Sequence, residues 1–108
     1  MEPVEQKPRP PRKNKAKPGL RARALGLLAR REHSRLELER KLSPYAGTPD
    51  EIPELLDDFE RRGWLSEQRV VAQIIASRRR RFGARRIAQE MREKGIAEEA
   101  ISAALPAL

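Results

Sequence analysis

The sequence contains no cysteine and only one histidine. Without thiols the chain can form neither disulfides nor thiolate metal sites, and a single imidazole cannot build a zinc site alone. A mechanism that depends on a bound metal or on a covalent thiol is therefore excluded. We accordingly expect no cofactor and no metal.

Aromatic residues and long apolar segments are also scarce. With one Trp, one Tyr and two Phe, recognition of single strands by base stacking is poorly supported. No apolar run approaches the roughly 20 residues that span a bilayer, and no apolar segment follows the N-terminal charges as a secretory signal requires. We therefore expect no membrane contact and, by default, a cytoplasmic location.

Basic residues, in contrast, are abundant. The chain has 24 Lys and Arg against 16 Asp and Glu, which gives a net charge of +8. This excess indicates an acidic partner such as nucleic acid or a nucleoprotein surface. Residues 1–18 are rich in Pro and Lys and cannot bury enough apolar surface to offset the entropy of ordering, so we predict a disordered basic tail. This tail either contacts phosphates loosely or acts as a solubilising leader.

The rest of the chain repeats itself. Such a repeat in a chain of this length predicts two copies of a small helical unit, and no segment shows the alternation of a strand. We therefore predict an all-α fold of two tandem three-helix modules, residues 19–65 and 66–108, after the tail. A shift of 49 positions, with no gap, pairs Leu25 with Ile74, Leu38 with Ile87, Leu42 with Met91, Ile52 with Ile101 and Leu56 with Leu105.

Helix start signals divide the first module. The first helix is predicted over residues 20–32. Ser34 and Glu37 form a capping box, in which each side chain satisfies a backbone amide at the start of the second helix. Thr48 and Pro49 predict the start of the third helix, with the Thr hydroxyl as its cap.

Further stop and start signals mark the end of the first module and divide the second. Gly63 is predicted to end the third helix in the left-handed conformation, with residues 64 and 65 folding back onto its apolar stripe. Ser66 then caps the fourth helix. The fifth helix is predicted to stop near Gly95, and the sixth to cover residues 96–105.

Several of these segments resemble one known family. Residues 29–38 (Ala-Arg-Arg-Glu-His-Ser-Arg-Leu-Glu-Leu), followed by Lys41 and Leu42, closely resemble the first-module signature of RecX, the bacterial regulator of the RecA recombinase. Residues 63–67 (Gly-Trp-Leu-Ser-Glu) resemble the junction before the second RecX module. The core of that module is similar to Gly83, Arg86-Ile87, Glu90-Met91 and Lys94-Gly95-Ile96.

The resemblance implies a function as well as a fold. RecX proteins are helical repeats that bind RecA filaments on DNA, lie along the filament groove and inhibit strand exchange, ATP hydrolysis and coprotease activity. The chain would then be a modulator and not an enzyme, with the RecA filament and DNA as its partners. Most RecX proteins carry a third three-helix module, whereas this sequence stops at Leu108, so we expect weaker avidity along the filament.

Arginines are the candidate contacts. Those of the second module flank the end of the fourth helix, where positive charge also complements the helix dipole. Stacking of the modules could join them to the arginines of the first module in a discontinuous basic stripe facing DNA phosphates, acidic RecA side chains, or both. The alternative is that they are solvated helix caps whose aliphatic stems cover the core. The nine candidates are Arg30, Arg31, Arg35, Arg78, Arg79, Arg80, Arg81, Arg85 and Arg86.

A second function is compatible with the same residues. The chain could be a sequence-independent DNA-binding protein whose affinity falls steeply with salt and needs no RecA. An enzyme is the least supported class, because no nucleophile with its base, carboxylate dyad or phosphate-binding glycine loop is present. In either role we expect a monomer.

Overall fold

Six α-helices make up the part of the chain that the computed structural model describes, residues 19–108. They are α1 (Leu20–Arg30), α2 (Arg35–Leu42), α3 (Glu51–Arg61), α4 (Glu67–Arg78), α5 (Ala84–Glu93) and α6 (Glu98–Ala104). Short 3-10 helices, Ser43–Tyr45 and Leu105–Ala107, follow α2 and α6. Within residues 19–108 there is no strand, which confirms the all-α prediction, and no helix long and apolar enough to cross a membrane. The predicted tail, residues 1–18, lies outside the described residues.

The helices surround two separate hydrophobic cores. Helices α1–α3, the N-terminal triplet, enclose one core, and helices α4–α6, the C-terminal triplet, enclose the other. The residue boundaries predicted for the two modules, 19–65 and 66–108, remain a prediction. The first core is Ala24, Leu38, Leu42, Ile52, Leu56, Phe59 and Leu65. The second is Val70, Ile74, Ile87, Ala88, Met91, Ile96 and Ile101.

Two of the predicted helix starts are confirmed. The Ser34 hydroxyl accepts a hydrogen bond from the Glu37 amide at 3.1 Å, and the Glu37 carboxylate accepts one from the Ser34 amide at 2.9 Å. This is the complete capping box. The Ser66 hydroxyl accepts from the Arg69 amide at 3.2 Å and starts α4. In both cases a short polar side chain satisfies an amide that has no partner within its helix.

The glycine stops are also confirmed. Gly63 and Gly95 have φ angles of +77° and +80°, in the left-handed region that disfavours other residues. After Gly63 the amides of Trp64 and Leu65 both donate to the Phe59 carbonyl. Leu65 is buried in the N-terminal core as predicted. Trp64 also folds back onto the apolar stripe, where its ring contacts Phe59 edge-on with 5.4 Å between ring centres, and it remains 40% exposed.

Three predicted helix bounds were wrong. Helix α1 ends at Arg30 and not at residue 32, because the chain turns extended at Arg31 and leads into the buried His33. Helix α3 begins at Glu51, and Thr48 makes no side-chain cap. The Glu51 carboxylate instead accepts the Gly47 amide at 2.9 Å and draws residues 47–50 into a turn.

The third wrong bound concerns α6, which begins at Glu98 and not at residue 96. Ile96 is buried in the turn before the helix, and the Ala97 amide donates to Glu67 at the start of α4 at 3.2 Å. The sequence prediction treated Ile96 as the first apolar residue of a helix, whereas it anchors the loop to the core. At the far end, Leu105 lies in the 3-10 helix.

The repeat holds for part of the chain only. Leu38 and Leu42 are buried like their equivalents, and so is Ile52. Leu25, however, is 39% exposed where Ile74 is 6% exposed, because Ala24 is the buried residue of α1. The gapless alignment was therefore wrong for α1 and α4, whose registers differ by one residue. It was also wrong for Leu56, which is fully buried, whereas Leu105 is 42% exposed.

Glu37 connects the two triplets. Besides capping α2, its carboxylate accepts from Arg31 at 2.8 Å and from Lys94 of the C-terminal triplet at 3.2 Å. Burial by itself raises the pKa of Glu37, but the hydrogen bonds from Arg31, Ser34 and Lys94 outweigh it and lower that pKa to about 2. A second ion pair, from Arg69 to Glu32 at 2.9 Å, also joins the triplets.

A close apolar contact completes this junction. A side-chain carbon at Gly95 would lie 2.9 Å from Cβ of Leu36, which belongs to α2 in the other triplet. That distance is shorter than real contacts allow, so only glycine lets the C-terminal triplet approach so closely. A carbon added at Gly63 would meet no atom within 4 Å.

We predict that Gly95→Ala destabilises the protein more than Gly63→Ala. Both substitutions force alanine into a left-handed conformation, which costs about 1 to 2 kcal/mol. Only Gly95→Ala also pushes Leu36 away, at a further cost of about 1 kcal/mol or more. Urea unfolding followed by circular dichroism measures both. Equal losses would contradict the close packing.

We also predict that Glu37→Gln lowers stability in a pH-dependent way. The folded-state pKa of about 2 lies below the ordinary value of 4.5, so the ionised group stabilises the fold above pH 4.5 and this contribution is lost as the pH falls towards 2. The loss at neutral pH should be about 2 kcal/mol. Glu39→Gln is the matched control, since Glu39 makes one exposed ion pair with Arg35 at 3.5 Å. If the stability difference between Glu37→Gln and the parent does not shrink in acid, this role of the ionised carboxylate is contradicted.

Candidate nucleic-acid interface

The corner between α4 and α5 exposes a cluster of arginines. The chain reverses there because the amides of Arg81 and Phe82 donate to the carbonyl of Arg78 at 2.9 and 3.0 Å. Phe82 packs against the C-terminal core. With this ring turned inward, the residues around it remain exposed, namely Arg79, Arg80, Arg81, Arg85 and Arg86.

Two of the predicted contact arginines are paired within the protein. Arg31 forms a two-pronged ion pair with Glu37, at 2.8 and 3.4 Å. Arg78 forms a similar pair with Glu90, at 3.0 and 3.3 Å, and so ties the end of α4 to α5. Such two-pronged pairs fix geometry as well as charge, so these arginines have a structural role.

Arg35 is the most fully compensated of the nine. One of its nitrogens lies 2.8 Å from both Asp57 and Glu60, and it also reaches Glu39 at 3.5 Å and the Pro53 carbonyl at 3.3 Å. Burial alone lowers the pKa of Arg35, but the surrounding carboxylates raise it above its ordinary value. Arg35 therefore holds α2 against α3.

The other six candidates have no carboxylate within ion-pair distance among residues 19–108. Arg86 stacks on the Phe82 ring at 4.1 Å, and Arg81 lies 5.8 Å from it. Stacking of this kind orients a guanidinium without neutralising it. The six are Arg30, Arg79, Arg80, Arg81, Arg85 and Arg86.

A groove runs between α2 and α5 and joins the two triplets. Its volume is about 1060 Å³, and we call it the α2–α5 groove. The uncompensated cations that line it are Arg40, Arg85 and Arg86, whereas its Lys94 is already paired with Glu37. The remaining lining residues are Glu37, Gly83, Gln89, Glu90 and Glu93.

Arg40 was not among the arginines predicted from the sequence. It lies opposite the buried Leu38 and Leu42 on α2, where a sequence pattern indicates only a solvated residue. The docking of α5 against α2, set by the contact between Leu36 and Gly95, turns this position into a groove wall. No signal in the sequence reports that contact.

The structure does not gather the nine predicted arginines on one surface. Arg85 and Arg86 line the groove, Arg79 to Arg81 lie at the α4–α5 corner, and Arg30 lines a different pocket beside α1. Which of them contact a partner stays a prediction. In the described part of the chain, no group of three or more acidic or histidine side chains is arranged to hold a metal ion.

The acidic residues of α3 are engaged within the protein. Asp58 accepts from Arg62 at 2.8 Å and from Arg21 at 3.1 Å, and the hydrogen bond from Arg62 in particular holds the pKa of Asp58 below its usual value. Asp57 pairs with Arg35. This part of α3 is therefore joined to α1 through Arg21 and to α2 through Arg35.

Comparison with known proteins identifies the family of this chain. Residues 66–105 match the family model described as RecX, second three-helix domain. The regulatory protein RecX of Leptothrix cholodnii is 50% identical over 95 residues, which cover 88% of this chain and 60% of that protein. The chain belongs to the RecX family. The RecX proteins of Chromobacterium violaceum and Ralstonia nicotianae are 44% and 45% identical, over 80% and 76% of this chain.

The chain spans little more than half the length of these RecX relatives, since the matches cover 60%, 57% and 52% of them. The match to the second RecX domain covers α4, α5 and α6. The arginine-rich corner, with Arg85 and Arg86, therefore lies in this second domain.

We predict that Arg35→Ala and Arg85→Ala differ in stability. Removing Arg35 leaves Asp57 and Glu60 close together without a cation and should cost about 1 to 2 kcal/mol. Arg85 has no ion pair in the described part of the chain, so Arg85→Ala should stay within about 0.5 kcal/mol of the parent. Urea unfolding measures both. A loss for Arg85→Ala as large as that for Arg35→Ala would show that Arg85 is structural.

Proposed function

We propose that this chain is a negative modulator of RecA that binds the RecA–DNA filament and inhibits its ATPase, strand-exchange and coprotease activities. Membership of the RecX family and the description of its relatives as regulatory proteins support a regulator. The structural observation that carries the proposal is the α2–α5 groove, in which Arg40, Arg85 and Arg86 have no carboxylate partner in the described part of the chain.

The groove suits a large acidic partner. Arg40 comes from the N-terminal triplet, while Arg85 and Arg86 come from the C-terminal triplet, so one bound polyanion would contact both. Contacts from two linked units raise the affinity above that of either one. DNA phosphates and acidic RecA side chains are both partners that a guanidinium binds through paired hydrogen bonds.

Inhibition by binding needs no catalytic group in the modulator. In this proposal the chain acts as a monomer in the cytoplasm, where it would meet RecA filaments. The paired arginines, such as Arg31 and Arg78, hold helices together within each triplet, and the uncompensated ones contact the filament.

The second candidate is a sequence-independent DNA-binding protein. The net charge of +8 favours it, and so do the six predicted arginines that form no ion pair among residues 19–108. Such a protein would bind free DNA without RecA, and its affinity would fall steeply as salt is raised. A filament modulator would require RecA and would act at salt concentrations at which free-DNA binding fails.

The deciding experiment is a titration of RecA ATP hydrolysis on single-stranded DNA at moderate salt. We expect inhibition at protein concentrations at which binding to the free DNA is negligible. The double variant Arg85→Ala/Arg86→Ala should need about tenfold more protein, since each contact to a charged group contributes on the order of 1 kcal/mol or more. Arg61→Ala/Arg62→Ala removes the same charge outside the groove and is the control.

A different result would favour the second candidate. Inhibition that begins only when the DNA itself is coated would contradict filament modulation. In that case the double variant should lower the slope of log affinity against log salt by about 1.4, from two single-strand phosphate contacts of about 0.7 each.

A further inference from the structure

A second cationic pocket lies on the N-terminal triplet. It is bounded by α1, α2 and the 3-10 helix that follows α2, and its volume is about 400 Å³. No carboxylate lines it. We call it the Gly26 pocket, and its lining residues are Arg23, Gly26, Leu27, Arg30, Lys41, Leu42 and Tyr45.

Gly26 has no side chain to fill the pocket that it lines. It lies in the interior of α1, where glycine lowers helix stability relative to alanine. Close packing does not require it, since a side-chain carbon at this position would meet no atom within 4 Å. The glycine therefore has no role in the fold that alanine could not fill, and its effect is to leave the space between the cations vacant.

Arg23 is held in place before any ligand binds. Its guanidinium lies 3.7 Å from the centre of the Tyr45 ring, which is closer than the other cation–π contacts of the described residues. No acidic side chain among residues 19–108 pairs with it. A cation stacked in this way is oriented and keeps its hydrogen-bond donors, so little entropy is lost when an anion binds.

Lys41 is held by the buried His33. The His33 Nδ1 lies 3.1 Å from the Arg31 carbonyl, which only accepts hydrogen bonds, so Nδ1 carries the proton. Nε2 is then the acceptor for the Lys41 ammonium at 3.4 Å. Burial lowers the pKa of His33, which keeps the ring neutral and able to accept at neutral pH. A neutral side chain thus positions Lys41 and leaves its positive charge uncompensated.

The pocket is adjacent to the α2–α5 groove. Arg40 lines the groove and the next residue, Lys41, lines the Gly26 pocket, so the two sites flank the same helix. A polyanion that crosses α2 can enter both. The phosphodiester backbone carries one charge per nucleotide, and the apolar Leu27 and Tyr45 beside the cations suit a sugar better than they suit an acidic side chain.

We propose that the Gly26 pocket binds a phosphate group of a nucleic-acid backbone, with Arg23, Arg30 and Lys41 as its hydrogen-bond donors. This site lies outside the α2–α5 groove and needs no RecA. It therefore stands or fails independently of the proposed function.

The test is to fill the pocket without changing its charge. Gly26→Leu adds a side chain where there is room, and leucine favours the helix, so the variant should melt no lower than the parent. We expect its affinity for an oligo(dT) strand to fall about tenfold, with a decrease of about 0.7 in the slope of log affinity against log salt. Ala29→Leu adds comparable bulk at an exposed site of α1 outside the pocket and should change neither value.

A charge variant tests the same site by another route. Lys41→Met should weaken oligo(dT) binding more than Arg61→Met, which removes the same charge at the end of α3 away from the pocket. The proposal is overturned if Gly26→Leu matches Ala29→Leu and Lys41→Met matches Arg61→Met. It is also overturned if Gly26→Leu leaves oligo(dT) binding intact and weakens binding of a polyglutamate peptide, because the pocket would then bind an acidic protein segment.

Discussion

The carboxylate of Glu37 joins three parts of the molecule. It closes the capping box that starts α2, holds Arg31 at the end of α1, and accepts from Lys94 at the end of α5. One ionised group thus joins a helix start, the neighbouring helix and the other triplet. Separation of the two triplets at this point would break the hydrogen bond from Lys94 to Glu37.

The arginines divide into two groups with different consequences. Arg31, Arg35 and Arg78 are paired with carboxylates and connect helices, so their charge is used within the protein. Arg85, Arg86 and Arg40 have no such partner among residues 19–108, and they line the α2–α5 groove. Composition alone therefore overstates the positive charge that this chain can offer to DNA or to a filament. The charge available to a partner is that of the arginines that form no ion pair among residues 19–108.

Local chemistry was predictable from the sequence, and contacts between distant residues were not. The capping box and the glycine stops depend on residues a few positions apart, so their geometry follows from the backbone. Thr48 failed as a cap because the Glu51 amide, which its hydroxyl was predicted to cap, donates to the Thr48 carbonyl at 3.4 Å. Arg40 was missed because it becomes a groove wall only when Gly95 packs on Leu36, far along the chain. The candidate site lies at that junction. Most of its arginines could therefore be predicted from the sequence, whereas the shape of the groove could not.

Helix α1, which lines the Gly26 pocket, buries little apolar surface in its core. Ala24 is its one fully buried residue, and half-buried leucines make its other apolar contacts. A helix held by so little buried surface opens more often than the rest of a domain, and its amide hydrogens exchange sooner. A ligand that bridges Arg23 and Arg30 of α1 to Lys41 of α2 would oppose that opening. Binding of such a ligand would then slow amide hydrogen exchange along α1, even if no side chain changes position.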